Sequence, residues 1–156
     1  MTVNTHTVLS TTHQNTRDLG RKASTADAVL VIQGFEGMQL LCKQFPWPVG
    51  TVKDAMESYG PNGQVFFQPT NTKTAYEGPV AFYETQPGTI DKALIAMIES
   101  GAVFQATAYA GRPDDSPYSK EIVDAFLVMD TPDRDWESDT PLLCAGTLKF
   151  HWFAQK

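Results

Sequence analysis

The clearest periodic pattern in the chain lies between residues 89 and 100. Apolar side chains recur there at the three- and four-residue spacing of one helical face, namely Ile90, Leu94, Met97 and Ile98. Thr89 is a candidate N-cap, and Gly101 is typical of the position just after a helix ends. The pattern predicts a three-turn helix, which is marginal alone in water and therefore needs a sheet beneath its apolar face.

Strand-like patterns surround this helix. Apolar or alternating runs predict strands at residues 28–33, 38–45, 64–69, 78–84, 103–109, 122–129 and 142–153, with the first two runs forming a hairpin. Gly146 is a candidate bulge or bend in the last strand. The predicted fold is α+β, a mainly antiparallel β-sandwich or barrel with one flanking α-helix at about residues 89–100.

Two segments depart from this pattern. Residues 1–25 contain few apolar side chains, which predicts an extended N-terminal arm that is either disordered or held by a partner. Residues 46–63 contain several Pro and Gly residues, and they predict a protruding loop. The remainder is expected to form one domain over residues 26–156, since 156 residues with 42% apolar composition suffice for one core.

The charge of the chain is acidic, with a net value of −6 and a sequence pI near 4.9. Binding to nucleic acid over the whole surface is therefore disfavoured, because phosphate neutralisation needs a basic face. The polar N-terminal residues do not resemble a signal peptide, and no apolar run is long enough to span a membrane. These features predict a soluble protein made in the cytoplasm.

The sequence offers little chemistry. It contains no nucleophile motif, phosphate-binding glycine loop or HExxH, so we predict no catalytic residue, cofactor or metal site. The acidic run at residues 130–139 lacks the glycine and final glutamate of a calcium-binding loop. His151 has no nucleophile or carboxylate at a sequence spacing that would indicate a catalytic group. Cys42 and Cys144 are expected to be free thiols, with a disulfide as the alternative.

The chain resembles the tail tube proteins of long-tailed, especially contractile-tailed, bacteriophages. The resemblance covers roughly residues 25–154 and is carried by the runs SYGPNGQVFFQP, YEGPVAFYETQPGTIDKALIAMIESGAVFQATAYAG and EIVDAFLVMDTPDRDWESDTPLLCAGTLKFHWFA. Its most specific parts are the strand–helix–strand unit and the closing strand GTLKFHWF after the DWES turn. The family is related to the tube subunits of tailocins and type VI secretion. The N-terminal arm exceeds what a minimal tube subunit needs, which leaves open a baseplate-proximal or terminating relative.

The resemblance implies a structural subunit of the virion tail, assembled in the host cytoplasm. Such subunits form hexameric rings that stack helically into a hollow tube, through which double-stranded DNA passes without specific binding during ejection. The implied partners are further copies of the chain and the sheath, tape measure and baseplate proteins, with no membrane. Residues 46–63 would be the inter-ring arm and residues 1–25 a second contact. The predicted contact residues are Leu9, Arg17, Arg21, Trp47, Val52, Met56 and Tyr59.

A different class of function is compatible with the same aromatic strands. A monomeric β-barrel that binds a small molecule would need an apolar cavity inside the barrel. The two hypotheses therefore differ in what fills the barrel and in whether the subunit polymerises.

Overall fold

The body of the protein is a six-stranded antiparallel sheet that curls into a nearly closed barrel. The computed structural model describes residues 5–154. In chain order the sheet strands are β1 Val29–Ile32, β2 Cys42–Gln44, β5 Ala75–Tyr83, β6 Phe104–Tyr109, β7 Ser119–Met129 and β8 Leu143–His151. They pair in the order β1-β6-β7-β8-β5-β2, so that β1 and β2 form the two edges.

Four further elements complete the chain. They are the helices α1 His6–Asp18 and α2 Thr89–Glu99, and the strands β3 Ala55–Tyr59 and β4 Val65–Pro69, which form a separate two-stranded sheet. Short 3-10 helices cover Glu36–Leu40 and Pro61–Gly63. The predicted antiparallel barrel with α2 at its side is confirmed.

The core fills the inside of the barrel. Strand β6 illustrates its origin, because Phe104, Ala106 and Ala108 alternate with polar residues and all three are buried. Fifteen buried side chains form one continuous cluster: Leu30, Ile32, Met38, Val80, Phe82, Ile90, Met97, Phe104, Ala106, Ala108, Ile122, Ala125, Cys144, Leu148 and Phe150. The interior is thus a packed core.

Helix α2 begins differently from the sequence prediction. The predicted cap Thr89 is wrong, since Gly88 is the N-cap residue and has no side chain that can accept a hydrogen bond. Glu84, just after the end of β5, supplies the acceptors instead: one carboxylate oxygen accepts from Ile90 N at 3.0 Å and the other from Asp91 N at 3.0 Å. The helix ends as predicted, with Gly101 at φ 106 just beyond Ser100.

The carboxylate of Glu84 is the electrostatic anchor of α2. Partial burial opposes its ionisation, but the backbone N–H donors of Ile90, Thr85 and Asp91 and the charge of Arg134 outweigh burial and lower the pKa of Glu84. The ionised carboxylate also complements the positive end of the helix dipole. Because the folded-state pKa is lowered, this stabilisation is present above the unfolded pKa and is lost as pH falls through the folded pKa.

Glu84→Ala is expected to lower the free energy of unfolding by about 1–2 kcal/mol at pH 7, because the first turn of α2 loses its acceptors. Urea unfolding of both proteins at pH 7 and at pH 3 measures this difference. The deficit should be smaller at pH 3, because the lowered pKa of Glu84 in the folded state means that the stabilisation from its ionised carboxylate is progressively lost below the unfolded-state pKa. Glu84→Gln, which keeps one acceptor oxygen, should show a smaller deficit; equal stability of all three proteins at pH 7 would contradict this role.

Three of the four residues predicted for the apolar face of α2 pack towards the barrel. Ile90 and Met97 are buried and Leu94 is partly buried, but Ile98 is 70% exposed, so its assignment to the core was wrong. The helix rests on the sheet along a narrower stripe than the sequence indicates. Position 98 is nearly a third of a turn away from 97 and lies beyond that stripe.

Met97→Ala is expected to cost about 2–5 kcal/mol of unfolding free energy because it opens a cavity under α2. Ile98→Ala, one residue away on the exposed side, should change it by less than about 0.5 kcal/mol. Urea denaturation followed by circular dichroism compares the two. Equal losses for both variants would show that α2 is oriented differently.

The prediction of an extended N-terminal arm is wrong, because most of this segment is helical. Residues 6–18 form α1, and Thr5 caps it by accepting from Val8 N at 3.4 Å. Inside the helix, the hydroxyls of Thr11 and Thr16 donate to the carbonyls one turn earlier, at 2.9 and 2.8 Å. The threonines thus satisfy their hydroxyl groups locally, which makes a helix compatible with a sequence that lacks an apolar face.

The predicted hairpin of residues 28–33 and 38–45 is also wrong. The 3-10 helix Glu36–Leu40 turns the chain away after β1, and β2 pairs with β5 at the opposite edge of the sheet. β1 pairs with β6 instead. Both runs are apolar, and apolar pattern alone does not specify which partner a strand takes.

Gly146 lies in regular pairing, and the predicted bulge at this position is wrong. Gly146 is opposite Met129 on one side and Val80 on the other. An irregularity in pairing does occur in β7, where Asp124 has φ 48 and exchanges hydrogen bonds with the amide of Gln105 at 3.2 and 3.3 Å.

Both cysteines are free, as predicted. Cys42 and Cys144 are each opposite Phe82, on its two sides, so their Cα atoms are two strand spacings apart, about 10 Å. A disulfide needs Cα atoms within about 7 Å. Burial raises the pKa of Cys42 to about 11 and also raises the pKa of Cys144, so neither thiol is activated.

Candidate assembly surfaces

An exposed β-hairpin is the most distinctive surface of the molecule. Strands β3 and β4 pair in register from Ala55 opposite Pro69 to Tyr59 opposite Val65, and every residue of both strands is exposed. A bridge between Val52 and Thr72 extends the ladder back towards the barrel. With nine residues from 51 to 59 at the rise of a strand, the hairpin is about 30 Å long.

Both faces of this hairpin carry exposed apolar side chains, but to different extents. Residues directly opposite each other in an antiparallel pair share a face. One face holds Tyr59, Val65 and Phe67 together with the carboxylate of Glu57, whereas on the other Met56 and Phe66 alternate with the polar Ser58 and Gln68. Tyr59 is 75% exposed and Phe67 is 69% exposed. A solvated hairpin normally has at least one polar face, and isolated hairpins are marginally stable in water. The face with Tyr59, Val65 and Phe67 therefore has the composition of a buried surface, but all three side chains are exposed in the single subunit.

The base of the hairpin is fixed to the barrel. Residues 46–50 were predicted to belong to the protruding loop, but they lie against the barrel. Pro48 is buried, and Trp47 packs against the core and contacts Tyr118 edge-on at 5.8 Å between ring centroids. Lys120 Nζ donates to Pro48 O and lies 4.6 Å from the ring centroid of Trp152. The protruding part is therefore residues 51–73, which include β4, predicted as a barrel strand.

Lys120 joins these groups at the foot of the hairpin. Its ammonium contacts two indole rings, since it also lies 5.4 Å from the ring centroid of Trp47. Such contacts stabilise a cation by about 0.5–2 kcal/mol. Burial lowers the pKa of Lys120. Through these contacts Lys120 joins β7 to the segment that precedes the hairpin.

The two edges of the sheet form a second candidate surface. Among the described residues, β1 pairs only with β6 and β2 only with β5, so each has one unpaired side. A groove of about 520 Å³ lies between these edges and is lined by residues of both, including Leu30 and Phe45. Unpaired edges are templates for strands of another chain.

Two further surfaces carry opposite charges. Helix α1 has no buried residue, and Leu9, Arg17 and Arg21 are all exposed. The loop at residues 130–140 is acidic and fully exposed, with the indole of Trp136 at 101% of its reference accessibility.

The described residues contain neither a cluster of metal ligands nor a helix able to span a membrane. Within residues 5–154, no three His, Cys, Asp or Glu side chains are close enough together to hold a metal ion. The same part of the chain contains no helix that combines the length and apolarity required to cross a bilayer.

Comparison with known proteins identifies the architecture. No protein-family model and no curated protein sequence matches the chain. A chain of the sheath–tube complex of an extracellular contractile injection system, PVC, in the extended state, aligns with a TM-score of 0.56 at 14% identity, over 87% of this chain and 92% of that one. A chain of the PVC sheath/tube terminator aligns with a TM-score of 0.57 at 13% identity, over 85% of this chain and 94% of that one. A chain of the 6-fold symmetrised baseplate of the anti-feeding prophage aligns with a TM-score of 0.52 at 13% identity, over 84% of this chain and 93% of that one.

The chain has a tail-tube-like fold. The aligned chains are covered almost completely, so the fold accounts for nearly their whole length. The tail-tube-like fold inferred from the three sequence runs is thus confirmed at the level of architecture.

The structure separates the predicted contact residues into three groups. Val52, Met56 and Tyr59 lie together on the hairpin, whereas Leu9, Arg17 and Arg21 lie on or just after α1. Trp47 belongs to neither group, because it packs at the foot of the hairpin.

Sequence reasoning missed the residues that dominate the hairpin. Val65, Phe66 and Phe67 were assigned to a barrel strand, because consecutive apolar residues are typical of a strand covered on both faces. The turn residues Pro61–Gly63 between two short strands were the available signal for a local hairpin.

Proposed function

We propose that this protein is a structural subunit of a phage tail or related contractile injection machine, and that it polymerises through contacts between its own copies. Rings of the subunit, six-fold in symmetry, stack into a hollow tube that conducts DNA. The role is not catalytic and requires no cofactor. The tail-tube-like fold supports this proposal, and the exposed hairpin carries it.

The hairpin argues for burial against neighbours on both sides. Exposed aromatic side chains on both faces of one ribbon would be costly in a monomer, because they stay in water. Contact with two surfaces of adjacent copies removes both faces from solvent. This is the arrangement expected of an arm that enters the next ring.

The sheet edges support lateral contacts in the same way. An antiparallel sheet whose edges β1 and β2 each have a free side can continue into a neighbouring copy through main-chain hydrogen bonds. Contacts of this head-to-tail kind close into a ring when the rotation between copies is right. The six-fold symmetry is suggested by the 6-fold symmetrised baseplate that contains a similar chain.

The charge of the subunit suits a conduit for DNA. A net charge of −6 on each copy gives an acidic assembly, and acidic walls repel phosphates, so that the nucleic acid moves without binding. The proposed setting is the assembled tail, with sheath, tape measure and baseplate proteins as its other partners.

Polymerisation of the purified protein tests the proposal. Sedimentation velocity over a concentration series should show ring-sized and larger species, and negative-stain electron microscopy should show rings or tubes with a central hole. A protein that stays monomeric throughout the series, with a folded circular dichroism spectrum, would overturn the proposal.

A further inference from the structure

Helix α1 has no partner within the described part of its own subunit. All thirteen of its residues are exposed, and an isolated helix of about 12–15 residues is marginal in water. Its low apolar content gives it no stripe with which to pack on the barrel. A stable role for this helix therefore requires another surface.

One face of α1 carries its two histidines and its arginine. At 100° per residue, His6, His13 and Arg17 fall within about 40° of one another, and Leu9 lies beside them. Arg21 and Lys22 follow the helix directly. Residues 1–25 carry a net charge of +2, whereas the remainder of the chain carries −8.

The acidic loop at residues 130–140 has the complementary character. It presents five carboxylates, and within residues 5–154 none of them forms a salt bridge: Asp130, Asp133, Asp135, Glu137 and Asp139. The exposed indole of Trp136 lies among them, at the rim of a cleft of about 650 Å³ that extends to Leu142 and Leu143. The loop thus combines unpaired negative charge with an uncovered apolar surface.

We propose that α1 and the basic residues after it dock on the acidic loop of a neighbouring copy. This inference rests on the proposed function, since it needs subunits to be adjacent in an assembly. Leu9 would cover Trp136, while Arg17, Arg21 and Lys22 would face the carboxylates.

The position of the arm favours a second copy as its partner. The arm leads into β1, an edge strand, whereas the acidic loop joins β7 and β8 further inside the sheet. Strand β1 begins level with Tyr109 and Ser119, at the start of β7, whereas the acidic loop follows Met129 at the other end of β7. The 11 residues of β7 separate these two ends by about 36 Å, which is more than the roughly 33 Å that residues 19–28 can span when extended. A contact between the arm of one copy and the loop of the next is head-to-tail, as ring closure requires.

Charge reversal on each side of the contact tests the proposal in the full-length protein. The arm variant combines Arg17→Glu and Arg21→Glu, and the loop variant combines Asp133→Arg and Glu137→Arg. Each is expected to raise the concentration needed for polymerisation about tenfold, because exposed ion pairs are worth up to about 1 kcal/mol each. Lys92→Glu with Arg112→Glu changes the net charge as the arm variant does, at sites away from α1, and should have little effect.

Mixing the two variants identifies which copy supplies the loop. In a ring of alternating variants, each reversed arm meets a reversed loop and each normal arm meets a normal loop. A one-to-one mixture should therefore polymerise like the wild type. Docking within one subunit predicts no rescue by mixing, and that result would overturn the proposal, as would an arm variant that behaves like its charge control.

Failure of the inference and failure of the proposed function give different results. If the wild type and all variants polymerise equally, the docking proposal fails while the structural role is kept. If the wild type does not polymerise at all, the proposed function fails and the docking proposal fails with it.

Discussion

Replacing Tyr59 and Phe67 with serine is expected to prevent polymerisation and leave the subunit folded. The two side chains lie on the same face of the hairpin and are mostly exposed in the single subunit, so their loss removes no internal packing. Exposed substitutions usually change folding stability by less than about 0.5 kcal/mol. In an interface, buried aromatic anchors are worth about 2 kcal/mol or more each.

The expected loss at the interface is thus about 4 kcal/mol, which raises the concentration needed for polymerisation on the order of 10²- to 10³-fold. Sedimentation velocity and negative-stain microscopy measure assembly, and urea unfolding verifies the fold. Tyr59→Phe with Phe67→Leu keeps the face apolar and should assemble nearly as the wild type does. A serine variant that assembles at the wild-type concentration would show that this face contacts nothing.

Gly146→Ala is expected to destabilise the subunit strongly, although it adds only one methyl group. A Cβ atom at Gly146 would lie 2.3 Å from Val128 O and 2.6 Å from Met129 Cα. Both are backbone atoms of β7, which cannot rotate away as a side chain can, so β7 and β8 would have to separate. Overpacking typically costs 1–3 kcal/mol, and we expect a loss of about 3 kcal/mol or more at this position.

For a domain of this size such a loss lowers Tm by about 6–12 °C. Differential scanning calorimetry of the wild type and the variant measures it. Gly37→Ala is the matched control, because a Cβ there meets no atom within 4 Å. An unchanged Tm for Gly146→Ala would mean that β7 and β8 leave room for a methyl group between them.

The sequence was most informative where a local pattern and its burial coincide. Helix α2 was predicted because its apolar spacing reflects the barrel beneath it, and Gly101 marks its end. Strand β6 was predicted for the same reason, since the alternation of Phe104, Ala106 and Ala108 matches the inside and outside of the sheet. In both elements the apolar residues lie on the face that packs against the rest of the same subunit.

The sequence was least informative where burial depends on something outside the element. β4 has the pattern of a core strand, because an apolar run has the same appearance whether the second covering surface is the same chain or another copy. Helix α1 was missed for a different reason, since an exposed helix of threonine and other polar residues has no apolar periodicity to detect. The cap of α2 was missed because Glu84 is close to the helix only through the turn after β5.

The candidate surfaces follow the same division. Val52, Met56 and Tyr59 were predicted as contacts and lie on the hairpin, but the larger apolar area from Val65, Phe66 and Phe67 depended on knowing that β3 and β4 pair with each other. The acidic loop was predicted from composition. Its charge complementarity to the basic arm could be argued only from the structure, in which both segments are exposed.

Apolar surface that is exposed on one subunit is expected to be covered by further copies in the polymer. Hydrogen–deuterium exchange of the backbone amides of β3 and β4, measured on unassembled and on polymerised protein, detects this change. We expect rapid exchange throughout the hairpin in the single subunit and strong protection in the polymer, with little change in β6 and β8. Equally rapid exchange of the hairpin in both states would contradict this expectation.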